Sequence, residues 1–190
     1  MLKNSKFLGV IYIFFAQVFF TTQDMIIKFI SNDFALHEIV LIRSSVGILF
    51  TLLVFMPLDG GYRQLFKKNI FLHILRGFGI VIANLCFFTS LITIPLGEAV
   101  AIFFIAPLII TALSVIIINE KVGVRSWIAV IIGFVGILII LRPGMGVFNS
   151  ASILPLIAAL AYSFVQILTR IMGEAEKASK MVFYIQLNLF

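Results

Sequence analysis

The chain has 190 residues, 62% of them hydrophobic and 12% charged, with a mean hydropathy of +1.20 and a formal charge of +6. Apolar residues make up about half of a soluble domain, so composition excludes a water-soluble core; the basic residues lie between apolar runs, with no basic, aromatic-interleaved surface for nucleic acid. Cys86 is the single cysteine and sits inside an apolar run, which excludes an intramolecular disulfide and a thiolate metal cluster.

Two lysines, Lys3 and Lys6, precede the first apolar run, Phe7 to Ile30. No small-x-small cleavage site follows it, so it reads as a retained helix rather than a signal peptide. Further runs are Leu36 to Met56, Ile70 to Ile94, Leu96 to Ile118, Trp127 to Leu141 and Ile153 to Met172, and a seventh begins at Met181 and reaches Phe190. A bilayer core about 30 Å thick is crossed by about 20 helical residues, a length that all but Trp127 to Leu141 meet among the first six. Each run is continuously apolar, whereas a barrel strand would alternate, so the predicted fold is an all-α polytopic membrane protein. Turns are expected at Pro57-Leu58-Asp59-Gly60-Gly61, Asn119-Glu120-Lys121 and Arg142-Pro143-Gly144. The loops are short, which leaves no room for an extramembrane domain.

Charge orders these spans. Lys3, Lys6, Arg63, Lys67, Lys68, Arg76, Lys121, Arg125, Arg170, Lys177 and Lys180 all fall on one side if the N-terminus is cytoplasmic. The opposite side holds Lys28 and Arg142, and the turn Ile94-Pro95-Leu96-Gly97 carries no charge. The positive-inside rule therefore predicts a cytoplasmic N-terminus.

Gln17, Thr21, Asp24 and Lys28 share one face of the first span at helical spacing. A carboxylate at bilayer depth costs about 2.5–3.5 kcal/mol on insertion scales, so Asp24 needs a cation, a proton or water. Arg43, about seven residues from the outer end of the second span, is placed to meet it. In the functional reading, Asp24 and Arg43, with Gln17, Thr21 and Asn84, line an outward vestibule for a polar or zwitterionic metabolite. In the structural reading they lock two helices together, and Lys28 is read as structural. Glu98 opens the fourth span and is read either as a proton-coupling carboxylate or as a complement to the helix dipole. Pro107 removes the amide that would bond Phe103 and so should kink or loosen the fourth span, as a hinge or as a static bend. Glu120 closes that span beside Lys121, as a local salt bridge or a cap. Gly77, Gly79, Gly133 and Gly136 are expected at close helix contacts.

His37 and His73 flank different spans at different depths, too far apart to share a metal. No paired carboxylates, His-nucleophile pair or metal triad lies within reach, so no catalytic residue, metal or cofactor is expected, and no phosphate loop is present.

An offset of 142 residues lays the sixth span on the first, pairing Ala16 with Ala158, Phe20 with Tyr162, Thr21 with Ser163, Asp24 with Gln166 and Lys28 with Arg170. An odd number of crossings separates one copy from the other, so the second enters the membrane from the opposite face. That is an inverted-topology repeat of the kind secondary transporters carry.

Pro107-Leu108, Asn119-Glu120-Lys121, Trp127, Gly133, Gly136 and Arg142-Pro143-Gly144 together resemble the end of an EamA domain of the drug/metabolite transporter superfamily. Arg43 matches that family's second-helix arginine, and His73-Ile74-Leu75-Arg76-Gly77 is similar to a segment of its S-adenosylmethionine uptake transporters; the match of Glu120 to the family motif implies a folding or gating role for it rather than substrate contact. The resemblance implies a ten-helix inner-membrane carrier built of two five-helix repeats, with the substrate path between them. Residues 1–146 would be the first repeat, and 147–190 the opening of the second. The expected partners are the lipid bilayer, a small polar metabolite and, because the pattern stops inside a seventh helix, a second chain or a homodimer supplying further helices. A fragment, a truncated product and a non-transporting remnant are the other readings of that departure.

Overall fold

The computed structural model describes residues 2–31, 33–62, 65, 70–141, 150–173 and 176–190. The apolar runs form α1 (Leu2–Ile30), α2 (Leu36–Phe50), α3 (Met56–Leu58), α4 (Ile70–Thr93), α5 (Leu96–Phe103), α6 (Ala106–Ile118), α7 (Val124–Leu141), α8 (Ile153–Met172) and α9 (Ala178–Leu189). Among the described residues no strand occurs. Among the described residues five segments are long and apolar enough to cross a bilayer: Phe7–Ile30, Leu36–Leu58, Ile70–Thr93, Leu96–Ile118 and Ile153–Met172. Within α7 the apolar stretch is the shorter Val124–Ile139. The chain is a polytopic helical membrane protein. The expected turn at Arg142-Pro143-Gly144 lies outside the described residues, as do the cationic residues Arg63, Lys67 and Lys68.

Prolines mark the two irregular spans. Pro57 has no amide for the carbonyl of Leu53, and the preceding turn, Thr51–Phe55, widens into a π turn joining α2 to α3. The fourth span divides at Phe104 and Ile105 into α5 and α6, with Pro107 in the first turn of α6, where a missing amide is tolerated. Asn119 ends α6 in the left-handed region, at φ 56°, a conformation asparagine tolerates. This turn directs Glu120 toward the end of α8, where its carboxylate pairs with Arg170 at 2.6 Å. The sequence reading paired Glu120 locally with Lys121; the left-handed turn redirects it across to α8.

Packing centres on α4 and α8, with α5 and α6 also against α8, α9 against α4 and α2, and α7 against α5 and α6. In lipid, helices associate through close packing and polar contacts rather than water exclusion, and α8 presents Ala158, Ala159 and Ser163, all fully buried. Gly79 faces Val165 of α8, while Gly47 and Gly77 face Gln186 and Asn188 of α9. Gly133 and Gly136 have no neighbour within 4 Å of where a side chain would start, contrary to the close contact expected of them. They lie on stretches of α7 that α5 and α6 leave uncovered.

One apolar core lies at the end that the charge bias assigns to the outside, where Ile27, Ile39, Phe87, Phe88, Leu91, Ala99 and Ile102 meet; a smaller one, at the end it assigns to the cytoplasm, joins Met56, Leu65 and Tyr184. Two of the cations that fall beside the joins between spans are inside: Arg76 is 2% exposed and Lys180 1%. Arg76 lies in the second turn of α4, bonded to Thr169 of α8 and Met181 of α9, and Lys180 lies in the first turn of α9.

Candidate functional site

The polar groups of the outer half converge on α2 and α4. Arg43 is half-buried, and its Nη2 donates to Asn84 Oδ1 at 2.9 Å. Asn84 Nδ2 in turn donates to the Ile80 carbonyl at 2.9 Å, which holds the amide oxygen toward the guanidinium. The Phe88 ring lies 5.5 Å from the guanidinium carbon, a cation–π distance. Arg43 Nε is buried and has no hydrogen-bond partner among the described residues. The arginine is thus anchored on one side and keeps donor capacity on the other.

Asp24 of α1 is half-buried and interacts electrostatically with Arg43, but the two form no ion pair within 4.0 Å. An anion and a cation held apart in low dielectric suit a ligand with both charges, such as the α-amino-acid end of a metabolite. Lys28, one turn further, donates to the Leu91 carbonyl in the last turn of α4. It satisfies one of the carbonyls every helix end leaves without an intrahelical partner, and so ties α1 to α4.

A cavity of about 480 Å³ opens between α1 and α2; its surface is almost wholly apolar, with Ile27, Ile39 and Phe34 among its walls, and Arg43, Gln23, Thr22 and Glu38 border it without giving it a polar face. Glu38 also accepts from the Ala35 amide at 3.3 Å, which anchors the start of α2. Of the residues singled out in the sequence, Arg43 and Asn84 are in contact and Asp24 faces them. Gln17 and Thr21 are not brought in: they lie on the exposed part of α1, against a shallow depression that α1 itself forms. Glu98 sits in the first turn of α5 with Oε1 buried and without a partner among the described residues. Pro107 is exposed at the break in the fourth span, and Glu120 lies at the cytoplasmic end with Arg170.

Sequence reasoning missed Gln23 and Glu38 at this cavity. Gln23 was legible as one more polar residue in the apolar run, but off the stripe. It also missed a buried cytoplasmic cluster of His73, Arg76, Glu176 and Lys180. Its signal was two spacings of ionisable residues, His73 and Arg76 at i,i+3 in the start of α4 and Glu176 and Lys180 at i,i+4 across the start of α9. Among the described residues no group of His, Cys, Asp and Glu could hold a metal ion.

Residues 7–142 match the model of a family described as EamA-like transporters. A riboflavin transporter of Vibrio cholerae is 28% identical over 190 residues, covering 98% of this chain and 63% of that protein. An S-adenosylmethionine uptake transporter of Rickettsia prowazekii is 24% identical, over 93% of this chain and 59% of its own length. A pseudopaline exporter of Pseudomonas aeruginosa is 21% identical, over 97% and 63% respectively. The chain therefore spans about six-tenths of the length of these curated relatives. No solved structure matches it.

Proposed function

Because the chain belongs to the EamA-like transporter family, we propose that it forms part of an inner-membrane secondary transporter that moves a small polar metabolite by alternating access. S-adenosylmethionine is the candidate substrate, with amino-acid and vitamin-like metabolites as the other class; relatives are named for S-adenosylmethionine uptake, riboflavin transport and pseudopaline export. The observation that carries this reading is Arg43, fixed by Asn84 and Phe88 at the edge of a cavity with one donor unused, and within electrostatic reach of Asp24, which does not itself line that cavity. A purely structural arginine at this depth would be expected to have its donors satisfied. In this role Arg43 binds the carboxylate of the substrate, Asp24 its amino or sulfonium charge, and Glu98 is a candidate for coupling. The break before Pro107 supplies a place where the fourth span bends between inward- and outward-facing forms.

A second reading, a half-carrier completed by further helices, is favoured by α1. Gln17 and Thr21 are exposed along a helix long enough to span the bilayer, where lipid offers no partner for them. By the internal repeat, α8 packs on α4, α5 and α6 through the positions that match this bare stripe. The corresponding partners of α1 would be inverted copies of α4, α5 and α6. A second copy of this chain, inserted with the same charge bias, presents them in the wrong orientation.

The test is uptake of labelled S-adenosylmethionine and riboflavin into cells expressing residues 1–190, with and without co-expressed C-terminal helices of a relative, and with Arg43→Ala in each. Saturable uptake abolished by Arg43→Ala supports the carrier; uptake that requires the added helices supports the half-carrier. Saturable uptake unaffected by Arg43→Ala would remove Arg43 from the pathway.

A further inference from the structure

Arg43 and Gly47 share one face of α2, one turn apart, and Gly77 and Asn84 share one face of α4, two turns apart. The outer two of these positions join directly, Arg43 Nη2 donating to Asn84 Oδ1 at 2.9 Å. The inner two are both taken by α9, which sets Gln186 against Gly47 and Asn188 against Gly77. Gln186 and Asn188 are both carboxamides, and they are used differently. Asn188 Nδ2 donates back to the Tyr184 carbonyl of its own helix at 2.7 Å. The carboxamide of Gln186 rests on bare backbone: a methyl added to Gly47 would stand 2.7 Å from both its carbon and its nitrogen. Its Oε1 is buried and accepts no hydrogen bond among the described residues.

One turn away along α2, Arg43 Nε is the converse, a buried donor with no acceptor among the described residues. Asn84 and Phe88 hold the guanidinium in place, and the seat on Gly47 holds the amide, so the two orphans do not meet. Lipid supplies no partner for either, and polar side chains that serve helix packing alone bond across the contact. A group that satisfies both offers an acceptor to Nε and a donor to Oε1. One turn of α2 rises about 5.4 Å, and hydrogen bonds reach about 2.9 Å from each side, so a single planar group with acceptor and donor side by side suffices. A neutral amide oxygen suits a neutral N–H better than an ammonium, whose charge it does not balance. Glutamine reads the acceptor and N–H of adenine in this way, and the imide of a flavin ring carries the same pair.

We propose that Gln186 is a second substrate-binding residue: with Arg43 Nε it holds the acceptor–donor edge of a planar nitrogen heterocycle, adenine-like or flavin-like, between α2 and α9. This rests on the carrier reading above and narrows its substrate class; the other guanidinium nitrogens remain for a carboxylate. On the repeat reading, the offset that lays α8 on α1 also lays Ala178, the start of α9, on Leu36, the start of α2. The site then falls where two inverted copies of one helix touch, the kind of interface at which inverted-repeat carriers bind substrate.

Binding is measured by isothermal titration calorimetry on the purified chain of residues 1–190 in detergent, with two pairs of probes. Riboflavin is compared with 3-methylriboflavin, and S-adenosylmethionine with its N6,N6-dimethyl analogue; methylation removes the N–H beside the acceptor. The intact chain should bind the unmethylated member of one pair about tenfold more tightly, and the pair that responds tells a flavin-like from an adenine-like edge. Gln186→Met, close to glutamine in shape but without the acceptor, should bring that ratio to about one. Gly47→Ala, which displaces the amide from its seat, should lower it, and does so decisively if Gln186→Met binds nothing. No binding or equal affinities within both pairs for the intact chain, a ratio that persists in Gln186→Met, or loss of all binding in both variants, as a packing residue would give, each overturn the proposal. Uptake that depends on Arg43 judges the carrier separately. A chain that binds in this pattern and moves nothing keeps the site, and a carrier with equal affinities within both pairs keeps the transport alone.

Discussion

The two helices that the internal repeat pairs, α1 and α8, have opposite surroundings. The spanning stretch of α1 is 6% buried and that of α8 is 39% buried. Ala158 and Ser163 of α8 are fully enclosed, whereas their counterparts on α1, Ala16 and Thr21, are exposed. Matched small and polar residues thus do different work. On α8 they permit close approach, and Ser163 Oγ reaches the Ala106 carbonyl at 3.2 Å across the contact. On α1 the same pattern meets nothing over most of its length, and only the outer third is held, by Ile27 in the core and Lys28 on Leu91. A stripe of this kind shows that a face is made to be covered; it does not say by what.

Substitutions on the two sides should separate accordingly, and melting of the detergent-solubilised protein measures them. Arg76→Ala should be the most damaging, because it removes two charge-assisted hydrogen bonds and leaves the buried Met181 carbonyl of α9 and the part-buried Thr169 hydroxyl of α8 unmet: about 3–5 kcal/mol, against about 1–2 kcal/mol for the single part-buried bond lost in Lys28→Ala on α1. Comparable losses for the two would mean that α1 is held as firmly as α8. Next, Ser163→Leu should cost about 1–3 kcal/mol by overpacking the α6–α8 contact, while Thr21→Leu should stay within about 0.5 kcal/mol. The comparison sharpens if Thr21→Leu becomes harmful once C-terminal helices of a relative are supplied, since those helices would then be what covers α1. The smallest pair concerns glycines. Gly77→Ala should lose about 1 kcal/mol because its new methyl meets Asn188. Gly133→Ala, in open space on α7, should gain up to about 1 kcal/mol from helix propensity.

Much of the candidate site could be read from residues spaced along single helices. Arg43 and Asp24 stood out because charge inside an apolar run requires an explanation, and Asn84 because it is an amide in another run. Their convergence depends on how α1, α2 and α4 meet, and so do the failures. Gln17 and Thr21 share a helical face with Asp24, yet α1 contacts the bundle only toward its outer end, so they never reach Arg43. Glu120 is beside Lys121 in sequence and paired with Arg170 in space. Arg76, at the start of the third span, and Lys180, just before the seventh, entered the sequence reading as charges that set orientation, but neighbouring helices bury them.

The sequence by itself determined the spans and the turns after the second and fourth of them, and it carried the charge bias from which their orientation is read. These depend on each segment's own exchange with the bilayer: a run of about 20 apolar residues partitions into lipid, and a cationic loop stays on the cytoplasmic side, whatever its neighbours do. Only the tertiary structure decided which face of each helix is covered, how the cation of Arg43 is held, and that His73, Glu176 and Lys180 meet at one carboxylate. Those outcomes are set by side chains from helices far apart in the chain, whose packing in lipid depends on close contact and on polar groups finding partners.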